Sequence, residues 1–153
     1  MDFTYTMTDD WYFFCEMIIK SDLLMDEPVI TLEGWLQEEG PGISKMALEL
    51  INKALNDREF EPTWIDGNVY DCYIEKEYST ISFQFEEAYS PTGDCPQKPC
   101  KVPNKLLYEI VETWQKEYEK WKKRRDDFLK KNPNYRPPVI GKLEDFFPKK
   151  NKE

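Results

Sequence analysis

The side chains that most often carry out protein chemistry are sparse in this chain. Its 153 residues include no histidine. The commonest general base, the usual partner of a serine or cysteine nucleophile and the commonest metal ligand are therefore all missing. Catalysis by two carboxylates is the remaining enzymatic alternative, but no spacing in the sequence marks a pair of acids for it. The composition predicts a protein that is not an enzyme.

Four cysteines are the next candidates, for metal binding or for a disulfide. Cys95 and Cys100 are five positions apart in a proline-rich stretch, which is wide for a pair of zinc ligands. A local bridge between them would fit such a loop, although a reducing cytosol opposes it. Cys15 and Cys72 stand alone in apolar segments, where a free thiol usually packs as a small hydrophobic side chain. No metal site and no cofactor are predicted.

Acidic side chains interleaved with aromatic ones are the strongest candidates for function. They fall on one face of the predicted strands and on the neighbouring turns. Aromatic anchors inside a charged rim suit protein recognition, because they offer a large contact area at a low cost in conformational entropy. The predicted partner-binding residues are Glu59, Glu61, Trp64, Asp66, Asp71, Tyr73, Glu75, Glu86 and Glu87.

Two other interpretations of the charged residues compete with this one. Acids on the strands are also what an antiparallel sheet needs if its outer face is simply solvated. The basic run Lys120–Arg125 could contact phosphates, but Asp126 and Asp127 follow it directly and weaken its field. Nucleic-acid binding is therefore not predicted.

The charge is divided unevenly along the chain. Residues 1–100 carry 21 acidic and 6 basic side chains, a net charge of −15, whereas residues 101–153 carry 9 acidic and 15 basic ones, a net charge of +6. An acidic body repels nucleic acid, attracts basic partners and speeds its encounter with them. The distribution favours a basic protein as the partner.

Three strands with a period of two are predicted to carry the candidate residues, at 59–65, 69–76 and 80–88. Asp66-Gly67 is predicted as a tight turn in which glycine accepts a positive φ, and residues 77–79 as the second turn. Tyr70, Cys72 and Ile74 would share the inner face of the middle strand. Ile81, Phe83 and Phe85 would share that of the third strand.

A long helix is predicted from Asn104 to about Lys131, because no glycine or proline interrupts this stretch and Asn132-Pro133 ends it. Apolar residues spaced four and three apart form one stripe along it. The stripe consists of Leu107, Val111, Trp114, Tyr118, Trp121 and Phe128. We expect it to pack against the inner face of the sheet.

The N-terminal half is less clear. Residues 3–7 are predicted to be β-prone, and the apolar run 11–19 suits a buried strand or a buried helix; Thr8, Asp9 and Asp10 before it favour a helix by capping. Residues 31–39 and 44–56 show helical periodicity, with Gly40-Pro41-Gly42 as the break. Residues 90–103 are predicted to form a proline-rich loop.

These elements predict an α+β fold, with an antiparallel three- to four-stranded sheet packed against a long C-terminal helix and one or two N-terminal helices. Residues 1–132 are predicted to form one domain, and residues 133–153 an extended proline-rich arm. No apolar run is long enough to span a membrane, and the N-terminus has no basic region typical of a secretory signal. A cytoplasmic protein is expected.

The stretch TWIDGNVYDCYIEKEYSTISFQFEE, followed by an aromatic-rich helix, resembles the immunity proteins that accompany bacterial secreted or contact-dependent toxins. The resemblance implies a tight, stoichiometric inhibitor of a cognate toxin, often a basic nuclease, whose active face it occludes. The protein would be a monomer or weak dimer that binds neither nucleic acid nor membrane. The alternatives are a carboxylate-dependent hydrolase and a DNA-mimicking anti-defence protein.

Overall fold

A computed structural model describes residues 2–10, 14–85 and 98–135 of the chain. The strands are β1 (Thr4–Asp10), β2 (Phe14–Lys20), β3 (Thr63–Asp66), β4 (Tyr70–Ile74), β5 (Tyr78–Phe83) and β6 (Cys100–Pro103). The helices are a short 3-10 helix (Asp22–Leu24), α1 (Val29–Asn56) and α2 (Asn104–Lys131). The α+β class is confirmed, with two antiparallel sheets of two and four strands.

The four-stranded sheet has the order β3-β4-β5-β6, so every strand pairs with its neighbour in the chain. Tyr70, Cys72 and Ile74 are buried, as the alternation predicts, and Ser79 and Ile81 of β5 are buried beside them. The side chains between these positions point to the opposite, outer face of the sheet. The sheet therefore has one packed face and one accessible face.

Several predicted boundaries of this sheet are wrong. β3 begins at Thr63, because residues 57–62 form the turn and connection that follow α1. The second turn lies at residues 75–77 rather than 77–79, and Phe85 lies beyond β5 with 42% of its surface exposed. Residues 100–103 were predicted as loop but form the edge strand β6, which leads directly into α2.

For residues 11–19 the sequence left a strand and a helix open, and the helix that the preceding residues favoured is wrong over the described part. Residues 14–20 form β2, which pairs with β1 in a hairpin in which Met7 lies opposite Met17. Cys15, Met17 and Ile19 are buried, whereas Ile18 is 43% exposed. Pairing with β1 gives this apolar run the alternating burial of a strand, and residues 8–10 extend β1 instead of capping a helix.

α1 contains two helical segments joined at a kink, as the Gly40-Pro41-Gly42 break predicts. Gly40 has φ 75° and ψ −174°, a backbone conformation that residues with a Cβ rarely adopt. The second segment starts at Pro41, where a missing amide proton costs little in the first turn of a helix. Gln115 of α2 donates a hydrogen bond to the Ser44 hydroxyl (3.0 Å), which ties this segment to α2.

α2 has the predicted bounds, and its apolar stripe lies at the contact with the rest of the fold. Leu107, Val111, Trp114 and Trp121 are buried, Tyr118 and Phe128 are half-buried, and Leu106 and Ile110 widen the stripe. The expected partner of the stripe needs correction. α2 packs mainly on α1, whereas the inner face of the sheet is covered mainly by α1.

Buried side chains from both sheets and both helices form one hydrophobic cluster. Asn104 is fully buried at the start of α2, where its amide group binds the Ser79 hydroxyl (2.6 Å) and the Glu75 carbonyl oxygen (2.7 Å). None of the helices in the described ranges is both long and apolar enough to cross a membrane. The predicted arm beyond Tyr135 lies outside the described residues.

Candidate functional site

The outer face of the four-stranded sheet carries an exposed aromatic pair. Trp64 of β3 lies opposite Tyr73 of β4, and their ring centroids are 4.4 Å apart. Trp64 remains 56% exposed although it touches Tyr73. Both positions face outward because Ile65 and Cys72 beside them are buried. A large apolar surface is therefore exposed to solvent on a regular strand, a property typical of binding faces.

Two of the predicted acids lie next to this pair. Asp66 of β3 is directly opposite Asp71 of β4, two residues along each strand from the aromatic pair and on the same face. Gln84 donates a hydrogen bond to Asp71 Oδ1 (2.6 Å) and a second to the Gly67 carbonyl oxygen (2.7 Å). Like charges opposite each other disfavour an isolated sheet. A cationic partner would relieve that repulsion.

The far side of the same face carries a basic residue that was not among those predicted for it. Lys101 of β6 lies opposite Thr80, with its ammonium group 4.7 Å from the ring centroid of Tyr78. The outer face therefore runs from carboxylates at β3 and β4 to a cation at β6. Its acidic, aromatic half is the candidate binding surface, defined by Trp64, Asp66, Asp71 and Tyr73.

The structure brings together only some of the predicted residues. Trp64, Asp66, Asp71 and Tyr73 share the outer face, and Glu75 follows in the exposed turn after β4. The remaining acids are elsewhere: Glu59 and Glu61 are exposed in the connection before β3, and Glu86 and Glu87 lie outside the described residues.

Three other glutamates have roles that sequence reasoning missed. Glu27 accepts a hydrogen bond from the Lys101 amide of β6 (2.9 Å), and Glu33 accepts one from the Ile19 amide of β2 (2.7 Å). Glu39 accepts three, from the amides of residues 68–70 (2.7–2.9 Å). These acids bind backbone groups that no local sequence signal identifies. These three carboxylates therefore help to hold the fold together, and only the other acids are left for a partner.

The turn held by Glu39 also shows why glycine occupies position 67, and the reason is not the predicted one. Gly67 does not have a positive φ; in the described part of the chain only Gly40 has one. A Cβ at Gly67 would overlap the Glu39 carboxylate and the Tyr70 carbonyl oxygen. Glycine is required there by close approach and not by backbone conformation.

Glu33 is a half-buried carboxyl group whose surroundings shift its pKa. Burial raises its pKa, the hydrogen bond from the Ile19 amide opposes that shift, and the nearby charge of Glu16 raises the pKa further. A raised carboxyl pKa often marks a catalytic acid. Here the carboxylate accepts a hydrogen bond from the Ile19 amide, which would otherwise be unpaired at the edge of β2. This structural role is enough to explain why Glu33 is at this position.

The described cysteines, Cys15, Cys72 and Cys100, are buried. Cys72 and Cys100 are free thiols, and burial raises the pKa of each to about 12. Nearby carboxylates add to the shift, from Asp71 at Cys72 and from Glu27 at Cys100. Cys95 lies outside the described residues. Within the described ranges no group of three or more metal-ligating side chains occurs.

An open cavity of about 390 Å³ lies where the β1–β2 hairpin meets the 3-10 helix. Its lining includes Asp2, Lys20 and Asp22 together with Phe3 and Leu23. None of the residues predicted for partner binding is part of it. The cavity is separate from the candidate binding surface.

Comparison with protein-family models, with curated proteins and with solved structures gave no match for this chain. Its function has to be inferred from its residues and their geometry.

Proposed function

We propose that this protein is a bacterial immunity protein that binds a basic toxin in the cytoplasm and neutralises it by covering its active face. The contact would be made by the acidic, aromatic half of the outer sheet face. The proposal makes the protein a stoichiometric inhibitor and not an enzyme.

The observation that carries the proposal is the exposed Trp64–Tyr73 pair beside the facing carboxylates of Asp66 and Asp71. An exposed tryptophan on a regular strand loses little conformational freedom on binding, so little of the binding free energy from its contact area is offset by lost entropy. The carboxylates add charge complementarity to a nuclease surface built to hold phosphates. Both features lie on a face that nothing in the described part of the chain covers.

The net charge of −9 supports the same conclusion at long range. An acidic protein and a basic toxin attract each other before contact, so their encounter is faster than that of neutral partners. Fast capture suits an inhibitor that has to act before a toxin damages its target. The attraction weakens as salt screens the charges.

The decisive experiment uses the toxin that the proposal expects to be encoded beside the gene for this protein. Purified toxin is mixed with wild-type protein and with Asp71→Lys/Glu75→Lys, and the association rate is measured by stopped flow at several salt concentrations. The wild-type rate should fall as salt rises. The double variant should associate at least about 10-fold more slowly at low salt, with the salt dependence reversed.

A matched control separates this face from overall charge. Glu109→Lys/Glu119→Lys changes the net charge by the same amount on exposed positions of α2. It should keep most of the wild-type rate and should still protect cells that express the toxin. Equal loss in both double variants would remove the assignment to the sheet face. Failure of the wild-type protein to bind or neutralise the toxin would overturn the proposed function itself.

A further inference from the structure

Two edges of the sheets are closed by the protein's own glutamates. At β6 the Lys101 amide is bound by Glu27, and Pro103, the next residue facing the same way, has no amide proton. At β2 the Ile19 amide is bound by Glu33. Closed edges of this kind prevent a further strand from pairing.

The outer edge of β3 is different. Gly67 donates a hydrogen bond to the Tyr70 carbonyl oxygen, so by the alternation of an antiparallel ladder Thr63 and Ile65 also pair with β4. The amide and carbonyl groups of Trp64 and Asp66 consequently point away from the sheet. No residue in the described ranges forms a hydrogen bond with them.

Only a short stretch of this edge is open, at Trp64 and Asp66, because Pro62 just before β3 has no amide proton. β3 contains no lysine and no proline, the residues that commonly block an exposed edge. From residue 57 to residue 66 the chain carries four carboxylates and one arginine. The segment that would bind this edge most favourably is therefore an extended chain with basic side chains.

From this edge we infer that β3 pairs with an extended, basic segment of the partner protein, which adds a fifth strand to the sheet. The inference rests on the proposed function and specifies how the partner is held. Backbone hydrogen bonds to Trp64 and Asp66 would provide the register, and the exposed Trp64 ring would cover the side chains of the added strand.

A second copy of this chain fits the edge less well. Pairing two β3 strands would bring the carboxylates of one copy, among them Glu61 and Asp66, close to those of the other. Like charges across strands are destabilising. Charge complementarity therefore selects a basic partner over a homodimer.

The test uses a synthetic peptide of about eight residues, the length of an ordinary strand, with alternating lysine and threonine. Binding to the isotope-labelled full chain is followed by the amide signals and amide exchange rates of Trp64 and Asp66. Both amides should shift and exchange more slowly. The same peptide N-methylated at every residue keeps its charge but loses its donors, and should bind at least about 10-fold more weakly.

Two variants separate backbone from side chain at one position. Trp64→Thr removes the ring but keeps the outward amide, whereas Trp64→Pro removes both, and an edge strand tolerates proline where the amide faces solvent. Binding of the lysine–threonine peptide should be at least about 10-fold weaker for Trp64→Pro than for Trp64→Thr. If Trp64→Pro does not fold, comparing the N-methylated and unmethylated peptides on the wild-type protein still tests whether backbone hydrogen bonds hold the added strand.

Several outcomes would overturn the inference. The first two are that the N-methylated peptide, or a glutamate–threonine peptide, binds as tightly as the lysine–threonine peptide. The third is that the peptide slows exchange of the β1 amides of Tyr5 and Met7 and not of those of Trp64 and Asp66. The fourth is that the free protein forms a dimer which Trp64→Pro dissociates. No binding of the lysine–threonine peptide would overturn it too. Each leaves the proposed function standing, because toxin neutralisation and its dependence on Asp71 are measured separately.

Discussion

Individual carboxylates in this protein have two kinds of role. Glu27, Glu33 and Glu39 lie just before or along α1 and accept hydrogen bonds from backbone amides of three different strand regions. Asp66 and Asp71 instead stand on the outer face of the sheet. A residue type alone does not distinguish a carboxylate that holds the fold from one that is available to a partner.

Glu39→Gln should lower the free energy of unfolding by about 1–3 kcal/mol, because hydrogen bonds to a charged acceptor are the strong ones. The amide group of glutamine also places a donor against one of the amides of residues 68–70. Glu38→Gln is the matched control, since Glu38 is exposed and next in sequence. Urea denaturation measures both; equal effects would show that Glu39 does not hold the turn.

The buried thiols should make the protein less stable at alkaline pH. The pKa of Cys72 is raised by burial from 9.0 to about 12, and that of Cys100 likewise. Above about pH 9 the unfolded chain loses these protons while the folded protein keeps them, so the free energy of unfolding falls as pH rises toward 12. The expected slope is about 1.4 kcal/mol per pH unit for each thiol.

Cys72→Ala isolates this effect from the titration of lysines and tyrosines. The variant should start less stable, because it leaves a small cavity, but lose less stability between pH 9 and 11 than wild type does. Denaturation at each pH gives both slopes. Parallel slopes would mean that the Cys72 thiol ionises equally in the folded and unfolded states.

At the scale of elements, the kink in α1 determines where Glu39 points. Glu39 ends the first helical segment, and Gly40 turns the chain before Pro41 starts the second. The kink lets one helix cover the hairpin through its first segment while its second segment packs on α2. Contacts from Gln115 to Pro41 and Ser44 hold the second segment in place.

Two glycines near this kink should respond oppositely to alanine. Gly40→Ala should lower the free energy of unfolding by roughly 1–2 kcal/mol, because φ is 75° there, although space for a Cβ is available. Gly42→Ala should raise it by about 0.4–1 kcal/mol, since alanine restricts the unfolded chain more than glycine does. Thermal unfolding of both variants checks the pair. The same sign for both would contradict this account of the kink.

The reliability of prediction also differed between elements. α2 was predicted with its full bounds, because its 3.6-residue period, its uninterrupted length and the Asn132-Pro133 end are all local. The sequence could not decide between a strand and a helix for β2, because WYFFCEMII is apolar nearly throughout and shows no period until pairing selects its buried side. β6 was missed, because Lys101 and Pro103 become strand residues only beside β5.

At the scale of the whole molecule, the β1–β2 hairpin shares its core with the rest. Met17 and Ile19 belong to the same buried cluster as Leu32 of α1 and Trp114 of α2. Tyr5 donates a hydrogen bond to Glu117 of α2 (3.1 Å). The hairpin is too small to be stable alone, so its folding should be coupled to that of the larger sheet.

Met17→Ala should therefore destabilise the whole protein by about 2–5 kcal/mol, in a single transition seen equally by circular dichroism and tryptophan fluorescence. Ile18→Ala is the control, because Ile18 is on the exposed face of the same strand. Its effect should be small. Two separate transitions in either variant would show that the hairpin is an independent unit.

The amino-acid sequence by itself determined the α+β class, α2, the inner face of β4 and the residue types of the candidate binding surface. Periodicity and capping are properties of neighbouring residues, so they can be seen without a fold. Tertiary structure alone decided that the Trp64 and Tyr73 rings meet beside Asp66 and Asp71, and that Glu27 reaches Lys101 across 74 positions. It also decided that, within the described part of the chain, the outer edge of β3 has no pairing strand. Those features depend on which distant backbone groups meet, and no local pattern encodes that pairing.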